Sequence, residues 1–104
     1  MNPETIIQNK IIKYIKKLAD DGYPIMYFRR QAGGYSYKAG LPDLFFIFDG
    51  RHVEVEVKAP GGERSPLQYK WEEKFKRINV DYLCVDNLED FKEFMKNYIG
   101  GYNL

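Results

Sequence analysis

The sequence predicts an α/β domain built around a mixed four-stranded sheet. Apolar residues recur at helical spacing near both ends of the chain. Two strand-like runs, Leu44 to Phe48 and Arg51 to Val57, flank Asp49-Gly50, a strong short hairpin signal. A helical pattern then separates the third strand-like run from a fourth, which suits a right-handed crossover between parallel neighbours. The predicted order is helix, strand, two-strand hairpin, helix, strand, helix. A chain of 104 residues holds one core and not two, so residues 1–104 are read as a single domain.

Asn2-Pro3 reads as an N-cap followed by proline at the first helical position. The helix runs to about Ala19, before Asp20-Asp21-Gly22, with Ile7, Ile11, Tyr14, Ile15 and Leu18 as its core stripe. Glu4 and Gln8 lie one turn apart on nearly the same side as Ile11 and Ile15, while Lys10, Lys13, Lys16 and Lys17 form a solvated face. Tyr23 to Arg30 contains the first strand, Ile25 to Arg30. Gln31 to Gly40 is too polar and too rich in glycine for a buried element, and it leads directly to Asp43.

In the hairpin, Asp49 and Gly50 suit a turn whose central residues both need positive φ. Symmetric closure sets Phe48 opposite Arg51, Ile47 opposite His52, Phe45 opposite Glu54 and Asp43 opposite Glu56. Alternation places Val53, Val55 and Val57 on the core side with Leu44, Phe46 and Phe48. The other face carries Asp43, Glu54, Glu56 and Lys58 beside Phe45 and Ile47. Glu54 is expected to be solvated there, and His52 to be a surface or structural residue near the hairpin tip.

Ala59 to Arg64 is a loop. Ser65-Pro66-Leu67-Gln68 opens a helix, with serine as cap, proline in the first turn and Gln68 in the capping-box position. Leu67, Trp71, Phe75 and Ile78 form its packing stripe, which makes Trp71 a core residue rather than a platform for a base. Val80 to Val85 is the fourth strand, with Tyr82, Leu83, Cys84 and Val85 expected to be largely buried and Cys84 to serve core packing. Asn87 caps the last helix, Leu88, Phe91, Phe94, Met95 and Tyr98 line one side of it, and Gly100-Gly101 ends it. Tyr102-Asn103-Leu104 reads as a loose tail or a self-association element.

The composition, 44% hydrophobic and 30% charged, is that of a soluble globular chain. No run of about 18 apolar residues is present, so no membrane span is expected. A lone cysteine excludes an internal disulfide, and no signal-peptide pattern opens the chain. A cytoplasmic location is therefore expected. The net charge of +1 gives no global sign of nucleic-acid binding, but clustered cations do not need a basic average.

The chemistry is concentrated at the base of the hairpin. Opposed carboxylates repel and destabilise an ordinary sheet. A hard divalent cation removes that conflict, because it takes carboxylate oxygens and keeps several waters. Lys58, two residues beyond Glu56, adds an amine to the same face. A one-residue slip would divide this set between the two faces. Arg29, Arg30 and Lys38 are candidates for holding phosphates, and Tyr35 or Tyr37 for stacking on an unpaired base.

The run Gly40-Leu41-Pro42-Asp43, then Glu56-Val57-Lys58, then Ser65-Pro66-Leu67-Gln68 resembles the VRR-NUC domain, the virus-type replication-repair nuclease of the PD-(D/E)XK nuclease superfamily. Pro-Asp followed by Glu-x-Lys is a loose pattern. The upstream glycine and the downstream Ser-Pro-x-Gln make the combination much more specific. The resemblance extends from the first helix to about Asn87. It implies a restriction-endonuclease-like core of order αβββαβα and metal-dependent hydrolysis of DNA phosphodiesters. Asp43 and Glu56 would hold one or two Mg²⁺ or Mn²⁺ ions, with the Val57 carbonyl as a further ligand and Lys58 as the amine at the attacking water. The resemblance also turns Glu4 toward the metal and Gln68 toward water or phosphate. A helix-dipole role for Glu4 and a capping role for Gln68 stand beside those readings.

Small stand-alone members of that family resemble phage enzymes acting on branched DNA such as Holliday junctions. Symmetric incision of a junction needs two sites, so a homodimer is expected. A non-catalytic DNA-binding module on the same scaffold and an RNA-processing nuclease are the alternatives.

Overall fold

Asp49 and Gly50 both adopt positive φ, 48° and 82°, as the hairpin turn demands. The structure, a computed structural model, describes residues 1–30 and 39–102. Its elements in order are α1 (Pro3–Asp20), β1 (Ile25–Arg29), β2 (Leu44–Phe48), β3 (Arg51–Val57), α2 (Pro66–Arg77), β4 (Asp81–Val85) and α3 (Leu88–Ile99). The register is the symmetric one: Phe48 pairs with Arg51, Ile47 with His52, Phe45 with Glu54 and Leu44 with Val55.

The strands lie in the order β1-β2-β3-β4, antiparallel across the first two junctions and parallel between β3 and β4. The mixed four-stranded α/β sheet is thus the one the sequence predicts. All three helices start on the expected caps. Asn2, Ser65 and Asn87 each accept a hydrogen bond from the backbone N–H three residues on, and Ser65 with Gln68 completes a capping box.

One face of the sheet is thickly covered. Ile7, Ile11, Ile12, Ile15 and Leu18 of α1 and Phe91, Met95 and Tyr98 of α3 enclose Leu44, Phe46, Phe48, Val53, Val55 and Val85. Phe46 meets Phe91 and Tyr98 edge-to-face, with ring centroids 5.9 and 6.0 Å apart. Tyr102, expected in a loose tail, instead packs on Phe48 and donates to the Asp49 carboxylate at 2.5 Å.

The second face is covered by α2, which packs against β4. Here the structure corrects three expectations. The α2 stripe is not core: no residue of this helix is fully buried, and Leu67 and Ile78 are 46% and 68% exposed. Trp71 and Phe75 are half-buried, and the Trp71 indole donates to the Ala39 carbonyl at 3.0 Å. In β4 only Val85 is buried, and Cys84 is exposed rather than packed in a core. The reason is position: β4 is an edge strand, and α2 covers it with one loosely seated helix.

Glu54 is the third correction. It is 0% exposed rather than solvated. The Arg30 guanidinium grips both its oxygens, at 2.6 and 2.8 Å, and His52 Nε2 also contacts it. A buried charge needs such pairing. Above it Phe28, Phe45 and His52 stack in series, with centroids 4.9 and 4.5 Å apart, and Arg30 lies 4.6 Å over Phe45.

Candidate active site

The residues singled out in the sequence line one cavity of about 230 Å³ at the end of the sheet where β2 begins and β3 ends. Glu4 and Gln8 enter it from α1, Asp43 from the residue before β2, Glu56, Val57 and Lys58 from the end of β3, and Gln68 from the first turn of α2. Each arrives for a local reason. The Asn2 cap and Pro3 begin α1 so that Glu4 and Gln8 share the side facing the sheet. The hairpin register carries Asp43 and Glu56 to the same end of their strands. The capping box fixes Gln68.

Gly40 sets the approach to Asp43. Its φ is +80°, and a Cβ there would stand 2.6 Å from Leu67 Cβ and 2.9 Å from the Leu67 carbonyl carbon. Only glycine gives both the backbone conformation and the close passage over the start of α2.

Lys58 is directed inward. Its Nζ donates to Gln68 Oε1 at 3.4 Å and lies 3.8 Å from Glu4 Oε1. The same Gln68 oxygen accepts the Ser65 N–H at 2.8 Å. Gln68 therefore serves as cap and as cavity residue with one atom. Glu4 likewise sits in the first turn of α1 and beside Lys58.

The two acids differ in electrostatic setting. Withdrawal from water and then the nearby Glu4 charge push the Asp43 carboxyl up, while Arg30 and Arg29 oppose this. Glu56 is 3% exposed and already matched. Arg64 Nε and Nη2 each reach one of its oxygens at 2.9 Å, Tyr82 Oη donates at 2.6 Å, and Cys84 Sγ at 3.3 Å. Burial works to raise the Glu56 carboxyl, but these hydrogen bonds outweigh it and hold it below the usual carboxylate range. A bound ion is therefore not the only remedy for the acid pair, because Arg64 supplies positive charge to one member.

Arg64 is the residue that sequence reasoning missed. Its one signal is a cation placed just before the Ser65 cap, on the loop that returns from Glu56. Tyr82 and Cys84 follow from the parallel pairing, which sets Glu54 beside Tyr82 and Glu56 beside Cys84.

The phosphate candidates divide. Arg30 is committed to Glu54 and to the Pro42 carbonyl, at 2.7 Å, so it is a structural cation. Arg29 is exposed, and its guanidinium bonds Gln8 at 3.0 Å and Asn9 at 2.7 Å. Lys38, Tyr35 and Tyr37 lie outside the described residues. His52 belongs to the Glu54 cluster and does not line the cavity.

As a donor set, the cavity offers hard oxygens from Asp43, Glu4 and Glu56 and the backbone of Val57, with Lys58 the amine among them. That chemistry fits a hard divalent cation. Among the described residues, no three acidic, histidine or cysteine side chains converge on one coordination point. Arg64, Tyr82 and Cys84 hold Glu56 toward the β4 side. No helix among the described residues is long and apolar enough to cross a membrane.

Solved structures share the fold, among them the following two. One, described as "VRR_NUC domain", superposes with a TM-score of 0.76 at 20% identity, covering 94% of this chain and 99% of the other. A second, "VRR_NUC domain protein", gives 0.72 at 18% identity, with 93% and 88% covered. No family model matches the sequence, and no curated protein matches it.

Proposed function

We infer that this chain, whose fold is that of the VRR_NUC domain, is a divalent-metal-dependent DNA endonuclease. The observation that carries this reading is the cavity in which Asp43, Glu56, Lys58, Glu4 and Gln68 meet. Asp43, Glu56 and the Val57 carbonyl would hold Mg²⁺ or Mn²⁺, with Glu4 adding a ligand directly or through water. A bound ion of this kind lowers the pKa of its water and stabilises charge on a phosphate in the transition state.

Lys58 lies between Glu4 and Gln68, 3.8 and 3.4 Å from their side-chain oxygens. Its role is to orient the attacking water and to stabilise developing negative charge rather than to take a proton. Gln68, held by the capping box, presents its amide at the cavity wall and fixes the Lys58 amine. Arg29, at the rim of α1 and β1, is the described cation best placed for a substrate phosphate.

The substrate we assign is branched DNA, four-way junctions included, cut by a homodimer whose two sites face the two strands to be incised. The test is cleavage of junction, flap, linear duplex and RNA substrates in Mg²⁺ and Mn²⁺. Asp43→Asn and Lys58→Ala should each reduce the rate by about a hundredfold or more. Wild-type activity in either variant would overturn the assignment, and preference for the RNA substrate would move it to RNA processing. The Arg64–Glu56 pair is the observation on which a non-catalytic binding module would rest. That reading requires DNA binding that persists in EDTA, with no cleavage in any divalent ion.

A further inference from the structure

We propose that Arg64 is an exchangeable counter-ion of Glu56, competing with the divalent cation for that carboxylate and setting the concentration at which the cation binds. The proposal rests on the metal-dependent reading above. Arg64 occupies an oxygen of Glu56 with each of Nε and Nη2, at 2.9 Å, and its side chain is 17% exposed. With Tyr82 and Cys84 also donating, the carboxylate has no oxygen left without a protein donor. An ion that coordinates Glu56 must displace at least one of these groups. The guanidinium is the one that leaves most readily, because it has a second seat. Its Nη2 is 2.6 Å from Glu72 Oε1, so release from Glu56 does not strand a cation. Tyr69 lies under the same guanidinium, with 4.2 Å between its ring centroid and Cζ, and supports it beside both carboxylates. Arg64 also stands on the loop between Lys58 and the Ser65 cap, where a small backbone shift completes the exchange. Gly61, at φ +77°, supplies the freedom for that shift. The other buried glutamate shows the contrast: Arg30 grips Glu54 and the Pro42 carbonyl, and among the described residues no second carboxylate forms an ion pair with it. Arg64 is thus a positioning residue, acting on the cation through Glu56.

The experiment is calorimetric titration of Mn²⁺ into the DNA-free protein. Arg64→Ala should bind Mn²⁺ roughly tenfold or more tightly than wild type, the scale of a lost charge-assisted fork. Glu72→Gln, which removes the second seat, should bind it several-fold more weakly. A purely structural Arg64 predicts weaker binding in both. No gain in Arg64→Ala, or no loss in Glu72→Gln, would overturn the proposal. If Arg64→Ala does not fold, Arg64→Lys, which keeps the charge and loses the fork, must show the gain. Asp43→Asn separates this proposal from the reading beneath it. Wild-type binding that Asp43→Asn abolishes, with Arg64→Ala and Glu72→Gln unchanged, removes the competition and leaves the metal site standing. No binding by any form removes both.

Discussion

Arg30 and Arg64 meet two glutamates only two positions apart on β3, and neither pairing is visible in a pattern of residue types. Alternation correctly assigns Glu54 and Glu56 to one face, but it does not say whether that face is wet. The answer lies in cations delivered by distant loops, 24 and 8 residues away in sequence. Replacing Arg30 by alanine leaves a fully buried carboxylate short of its main partner. The expected loss is about 3–5 kcal/mol of stability, seen as a lower urea midpoint. An unchanged midpoint with weakened DNA binding would return Arg30 to the phosphate-binding role. Cys84 gives a prediction with a pH sign. The residue is exposed, yet its thiol is turned onto Glu56, and partial burial together with that charge pushes it up to about 11. The reactive thiolate is therefore scarce at neutral pH and grows as pH rises toward that value. Alkylation by iodoacetamide at pH 8 should be roughly tenfold or more slower than that of a small free thiol. It should still be accelerating at pH 10, where an ordinary thiol has levelled off.

Among the elements, those most legible in the sequence are the ones whose signals are local. The three caps, the Asp49-Gly50 turn and the hairpin register all depend on a few adjacent residues, and all stand where they were expected. Helix α2 was legible as a helix but not in its packing. Its period shows which residues share a side, but the depth of that side depends on how much sheet lies beneath it. The same limit explains β4, whose apolar content suggested burial that an edge position does not provide. Gly40 stands between the two cases: the motif marks it, while the reason for it is the start of α2 lying against it. Gly40→Ala combines a positive φ with a sub-van-der-Waals contact to Leu67. It should cost about 2 kcal/mol or more by thermal or urea unfolding. A variant as stable as wild type would mean that the segment before β2 can be re-laid.

At the scale of the whole molecule, the two faces of the sheet are unequal. The α1–α3 side holds nearly the whole buried core, and α2 contributes no fully buried side chain to the other. Local stability follows buried apolar contact, so the faces should open with different free energies. Native-state hydrogen exchange should show α2 amides exchanging well before those of α1, α3 and the central strands β2 and β3. Equal protection throughout would mean a single cooperative unit. The site straddles this inequality: Glu4, Asp43 and Glu56 belong to the firm part, while Gln68 belongs to the loosely seated helix. Because one oxygen of Gln68 both closes the opening turn of that helix and faces the Lys58 amine, unravelling of segment 66–77 takes away that amine's anchor. Warming the protein should therefore silence it some degrees before the hydrophobic interior melts.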